Sequence, residues 1–191
     1  MSRELVTYRY LVLLLLVGII PTAIMGLLLE PVFENLFDSL LAVGIALLLT
    51  GVVLFSISRL RPGRRDLQRM TIWDALVIGV AQGCAIVPGL SRSGMTISSA
   101  LGRGLDRDAA TRFSFLISIP TIAGASLLKI GDIIQYGAGG QGLMLLIGFL
   151  VATVSGVIAV KLLVRLLRGG KLQFFAYYVW LVGVIVIWRA W

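Results

Sequence analysis

Runs of about 20 consecutive apolar residues recur along this 191-residue chain, and that recurrence decides the solvent in which it can fold. A helix rises 1.5 Å per residue, so about 20 such residues cross the roughly 30 Å hydrocarbon core of a bilayer. Residues 10–29 and 40–58 are two such runs; 113–130, 143–164 and 174–187 are three more. With 59% of residues hydrophobic and 14% charged, no water-facing surface of ordinary polarity can be assembled. A single all-α membrane domain over 1–191 is expected, with the bilayer as its partner. The run at 10–29 is too long for the apolar core of a cleaved signal and has no small-x-small site, so it reads as a permanent span.

The net charge of +8 does not point to nucleic acid, because the basic residues are dispersed at the ends of apolar runs instead of forming a stripe. They report topology. Between 58 and 70 stand Arg59, Arg61, Arg64, Arg65 and Arg69 against Asp66 alone, which marks that link as cytoplasmic. The acidic link with Glu30, Glu34 and Asp38, turning at Pro31, then faces outward, with the N-terminus inside and the C-terminus outside. Tyr177, Tyr178, Trp188 and Trp191 are candidate interface anchors, whereas Trp180 falls inside a span. Gly18, Gly26, Gly44, Gly51, Gly148 and Gly156 read as close helix packing. The single cysteine, Cys84, lies in apolar sequence and reads as packing.

The segment 72–103 breaks the pattern. Its apolar stretch 75–87 is too short to span, Pro88-Gly89 follows, and a second short stretch at 95–101 leads to Arg103, Arg107 and Arg112. Entry from a basic link and return to a basic link predict a re-entrant helix hairpin with its turn at 88–94. Non-helical backbone at membrane depth survives only where its polar groups are satisfied. An arginine there costs at least about 2.5 kcal/mol on insertion scales. Arg92 therefore needs a counterpart. A phosphate suits it, since the helix expected after Gly94 offers unpaired N–H groups and a positive dipole end. Ser91, Ser93 and Thr96 add hydroxyls, and the Arg92 guanidinium can grip two phosphate oxygens. The same cluster could instead be a structural knot that caps the broken helix. Gln82, an amide inside an apolar half-helix, needs a partner in either case. Asp74 reads as a helix N-terminal charge, Arg103, Asp106, Arg107 and Asp108 as a solvated link, Ser114 and Ser118 as bonding back to their own helix, and Pro120 as a kink.

Gly79-Val80-Ala81-Gln82-Gly83, the run from Pro88 through Ser91-Arg92-Ser93-Gly94 to Thr96-Ile97, and Phe113-Ser114-Phe115-Leu116 before Ile119-Pro120 together resemble the undecaprenyl-diphosphate phosphatases of the bacitracin-resistance type. The likeness extends more loosely from Leu11 to Trp191, with Gly18-Ile19-Ile20-Pro21 in the first span. It implies an inverted-repeat bundle of about five transmembrane helices and one re-entrant hairpin, in which 72–191 is a complete second repeat and 1–71 holds two spans of the first. It also implies a bacterial inner (plasma) membrane enzyme that takes the terminal phosphate from a polyprenyl diphosphate lipid, recycling a carrier for peptidoglycan synthesis. Carried over position by position, Ser91, Arg92 and Thr96 would be catalytic. Gln82, Gly89, Ser93 and Gly94 would bind the substrate phosphate. The family's first hairpin contributes glutamates and a histidine, and this chain contains no histidine. A divalent cation, Mg or Ca, is expected to arrive with the diphosphate, because the chain has no ligand cluster for one. A homodimer is one open arrangement. The alternatives are a non-catalytic polyprenyl-phosphate binder or transporter, and an inactive truncated homologue.

Overall fold

The computed structural model describes residues 3–59, 63–136, 142–168 and 172–191. Their regular elements are α1 (Arg3–Leu28), α2 (Glu30–Phe37), α3 (Leu40–Arg59), α4 (Ile72–Cys84), α5 (Arg92–Gly102), α6 (Arg107–Tyr136), α7 (Gly142–Arg168) and α8 (Leu172–Arg189), with a short 3-10 turn at Leu67–Arg69. The all-α membrane class expected from the sequence is what this chain adopts. Four segments, Tyr8–Leu28, Leu40–Arg59, Arg107–Leu127 and Gly142–Leu162, are long and apolar enough to cross a bilayer. The fifth expected span lies in α8, whose 18 residues extend about 27 Å.

Three boundaries differ from the sequence expectation. The acidic link forms the two-turn helix α2, because Pro31 sits in its first turn, where a missing N–H leaves no bond unmade. The glycine-rich loop expected at 131–142 is shorter than that, since α6 continues to Tyr136; residues 137–141 lie outside the described residues. The second half of the hairpin begins at Arg92, three residues before the expected apolar stretch.

Small residues set how the helices meet. On α3, a Cβ added at Gly51 would run into the Trp180 ring of α8, and Trp180 Nε1 donates to the Leu48 carbonyl at 3.0 Å. That explains a tryptophan in the middle of a span. Gly18 of α1 and Gly79 of α4 cross backbone to backbone, with no room for a side chain at Gly79. The expectation of close packing fails at Gly148 and Gly156, which meet nothing within 4 Å. Every described side chain of α7 from Gly142 to Leu162 is exposed. The core lies where α1, α4, α5 and α6 converge, around Leu14, Ile78, Leu105, Phe113 and Ile117, each fully buried.

α4 and α5 form a pair of short helices, fastened at one end by charge pairs and joined at the other by residues 85–91. At the base, Thr71 and Asp74 form a capping box that starts α4. The Asp74 carboxylate, fully buried, also pairs with Arg103 from the end of α5 at 2.8 Å and with Arg65 from the preceding link at 2.5 Å. The Arg65 strand segment bridges Leu105, and its guanidinium donates to the Arg103 carbonyl at 2.9 Å. The link expected to be solvated is therefore a clasp: Arg103 closes the hairpin, and Asp106 caps α6 by accepting from the Ala109 N–H at 2.7 Å. Only Asp108 and Arg112 of that group form an exposed surface pair. Burial pushes the Asp74 carboxyl up, but the bonds from Arg65, Thr71 and Arg103 outweigh it and hold it at about 2. Its contribution to stability is full above the ordinary value of 3.8 and is lost as pH falls through about 2. Replacing Asp74 by Ala should cost on the order of 2 kcal/mol, below the usual figure for a buried pair because both arginines keep part of their hydration. Unfolding of the variant in detergent at pH 7 checks this, and an unchanged midpoint would remove the clasp from the account.

Candidate functional site

The tip of the hairpin is an interruption of helix from Ala85 to Ser91, and nearly every backbone donor in it is satisfied. The Ile86 and Val87 N–H groups return to Gly83 and Cys84 at 3.1 and 3.3 Å, Pro88 has none, and the Leu90 N–H closes on the Val87 carbonyl at 3.1 Å. Proline second and glycine third in a bond-closed four-residue turn, with Gly89 at φ +93°, is the signature of a type II turn. Gly89 is also pressed on α3: an added Cβ would lie 2.6 Å from the Val43 carbonyl oxygen and 2.9 Å from Ala46 Cβ. The Gly89 carbonyl and the Ser91 N–H are taken by a residue that sequence reasoning missed. Thr50, buried in the middle of α3, donates its hydroxyl to the Gly89 carbonyl at 2.8 Å and accepts from the Ser91 N–H at 3.0 Å.

Ser91 is the N-cap of α5, its Oγ accepting from the Gly94 N–H at 3.1 Å. Gly94 is thus the third residue of the helix and no part of the break. The unpaired amides belong to Arg92 and Ser93, at a helix start three residues earlier than expected. The Arg92 guanidinium, half-buried, makes no ion pair or hydrogen bond among the described residues. Ser91, Arg92, Ser93 and Gly94 are therefore gathered on one helical turn. Thr96 lies further along α5, 1% exposed, with its hydroxyl bonded to the Arg92 carbonyl at 2.9 Å and to Ser114 of α6. That contact takes the place of the bond to its own helix expected of Ser114, whereas Ser118 does bond back, to Phe115 at 2.7 Å.

Gln82 is 1% exposed between three helices. Its amide nitrogen donates to Thr22 of α1 at 3.2 Å and to Thr121 of α6 at 3.0 Å. Both threonines use their own hydrogens on backbone carbonyls, Gly79 at 2.9 Å and Ile117 at 2.8 Å, so they can only accept from the amide. The orientation of the amide is thereby fixed, and its Oε1 is left buried without a partner among the described residues. Thr22 and Thr121 were not singled out from the sequence. A threonine inside an otherwise apolar span is the signal that would have found Thr22 and Thr50. Among the described residues, no group of three or more His, Cys, Asp or Glu side chains could hold a metal ion.

Two substitutions separate fold from site. Gly89→Ala should lower stability by about 2 kcal/mol or more, from the left-handed backbone and the collision with Val43, read as a fall in the unfolding midpoint. A wild-type midpoint would contradict the packing of the turn on α3. Gln82→Leu should change stability by no more than about 1 kcal/mol, since it removes an unpaired buried oxygen along with the bonds. If Gln82 serves the site, that variant should still lose function, and retained function would make the amide a packing element only.

A family model described as "Bacitracin resistance protein BacA" matches residues 3–185. A protein named undecaprenyl-diphosphatase from Halothermothrix orenii is 48% identical over 94% of this chain and 70% of its own length. One of the same name from Alkaliphilus metalliredigens is 45% identical over 94% of this chain and 66% of its own. A third, from Methanothermobacter thermautotrophicus, is 43% identical over 91% of this chain and 97% of its own. The chain thus spans about two thirds of the first two relatives and nearly all of the third. A match that covers the clasp, the Pro88-Gly89 turn and every spanning helix leaves one conclusion, that this chain belongs to the BacA family.

Proposed function

We propose that this chain is a membrane hydrolase that converts undecaprenyl diphosphate to undecaprenyl phosphate, the recycling step that sustains cell-wall lipid carriers and resists bacitracin. The observation that carries the reading is Arg92: a half-buried guanidinium with no protein partner among the described residues, on the first turn of α5 beside two unpaired amides. A cation and helix N-terminal N–H groups in that arrangement fit a phosphate, whose oxygens accept from all of them.

In this reading the terminal phosphate sits on the Arg92 and Ser93 amides, gripped by the guanidinium and by the Ser93 hydroxyl. The Ser91 oxygen already accepts from Gly94, and its own hydrogen is free to point at the phosphate. Water bonds to the terminal phosphorus as its bond to the bridging oxygen breaks, giving inorganic phosphate and the prenyl monophosphate, and these preorganised donors stabilise the charge that develops on the bridging oxygen and is spread over the equatorial ones. Ser91 has no histidine or carboxylate bonded to it here, so its role is donor and cap, and we assign it no attack on phosphorus. Thr96, locked on Ser114, holds α5 against α6. The prenyl chain extends among the apolar helices.

The clasp end, with Arg64, Arg65, Arg69 and Arg103, faces the cytoplasm of an inner membrane, the N-terminus is inside and the C-terminus outside. The hairpin then enters about 20 Å from that face, the length of α4. The side chains at the tip do not fit a divalent cation by themselves, and Mg or Ca would come bound to the diphosphate.

Phosphate release from farnesyl or undecaprenyl diphosphate by the purified chain tests the function. Arg92→Lys should lower that release by one to two orders of magnitude, because an ammonium cannot reproduce the two-pronged grip. Wild-type turnover in the lysine variant would overturn the role of Arg92. Binding of the lipid without release would identify a carrier or binder in place of a hydrolase.

A further inference from the structure

Thr50, like Thr22, which donates to Gly79, bonds outside its own helix, whereas several other hydroxyls of the spanning helices do not. Ser56, Thr111, Thr121 and Thr153 each donate to the carbonyl four residues earlier in their own helix, the ordinary way for a hydroxyl to be satisfied in an apolar setting. Thr50 does not. Its hydrogen goes to Gly89 and its lone pair to the Ser91 N–H, so one side chain on α3 replaces a backbone bond pair across Leu90. It is 3% exposed, and no solvent competes for either bond.

The choice of partners has a consequence for the site. Four N–H groups at the start of α5 lack helical acceptors. Thr50 takes that of Ser91, the Ser91 hydroxyl takes that of Gly94, and those of Arg92 and Ser93 remain. The open amides are therefore adjacent, on Arg92 itself and the residue after it. Releasing the Ser91 N–H would change both the number of donors and the angle at which α5 leaves the turn.

We propose that Thr50 is a positioning residue of the diphosphate site, fixing the 88–91 turn so that the Arg92 and Ser93 amides face the terminal phosphate together. This rests on the function proposed above. Valine matches threonine in shape but leaves the Gly89 carbonyl and the Ser91 N–H buried and unpaired, whereas serine keeps the hydroxyl and loses only the methyl group and its rotamer restriction.

The test compares wild type, Thr50→Val and Thr50→Ser, each as the full chain in detergent, by three measurements: amide hydrogen exchange across 86–95, affinity for farnesyl diphosphate, and phosphate release from it. In Thr50→Val, exchange across the turn should rise at least about tenfold, farnesyl diphosphate affinity should fall about tenfold, and kcat should fall with it; each tenfold step is the loss of roughly one net hydrogen bond. Thr50→Ser should return all three to within about threefold of wild type. Should the valine variant not fold, Thr50→Cys, a weaker donor and acceptor, supplies the same comparison. Unchanged exchange in the variant would overturn the clamp. Faster exchange with wild-type affinity and turnover would overturn the positioning role and leave Thr50 structural. A wild-type chain that neither binds nor cleaves farnesyl diphosphate, with its turn protected, would overturn the functional reading itself.

Discussion

The structure turns on how seven residues of non-helical chain between α4 and α5 are held. A peptide group cut off from water and left without a partner costs on the order of several kcal/mol. The chain resolves this locally where it can. Three N–H groups fold back on the end of α4, proline has none, and the turn closes that of Leu90. From α3, the Thr50 hydroxyl takes the Gly89 carbonyl and the Ser91 N–H, and Gly89 is seated closely on the same helix. The hairpin tip is consequently a joint product of two distant stretches of sequence, and neither is sufficient without the other.

Base and tip are held by different forces, each suited to its place. The Asp74 clasp uses charges whose arginine partners are 32% and 43% exposed, so the pair gains Coulomb attraction without full desolvation of the cations. At the tip, where an ion pair would be costly to bury, the fastening is by neutral hydrogen bonds, which gain strength in the low dielectric. The core of Phe113, Ile117 and Ile78 lies between them and ties α4 and α5 to α6. Fixing both ends leaves the two short helices little freedom to splay, and the geometry of α5's first turn follows from that.

Much of this was legible in the residues. The length of the apolar runs required a membrane class, and Pro88-Gly89 with Ser91 located the turn and its cap, because each rests on local chemistry with a fixed spacing. The errors had a common cause. Helix starts were placed by hydrophobicity, which ignores caps, so α5 was begun at Gly94 although Ser91 starts it. The remaining omissions were partners: Thr50 to Ser91, Thr22 to Gln82, Thr96 to Ser114 and Arg65 to Asp74 join residues up to 60 positions apart, with no periodicity to announce them. Asp74 and Arg103 read as ordinary interface charges because their pairing exists only once the hairpin has closed.

The most informative property of the site is what the fold leaves over. Hydroxyls within the spans are bonded to carbonyls, the buried carboxylate has two arginines, and the broken backbone is nearly closed. The Arg92 guanidinium, the Arg92 and Ser93 amides and the buried Gln82 oxygen are among the groups without partners among the described residues. Three of the four are donors gathered on one helical turn. Their complement is a compact anion with several acceptor oxygens, and a lipid brings such an anion to membrane depth as a phosphate on an apolar tail.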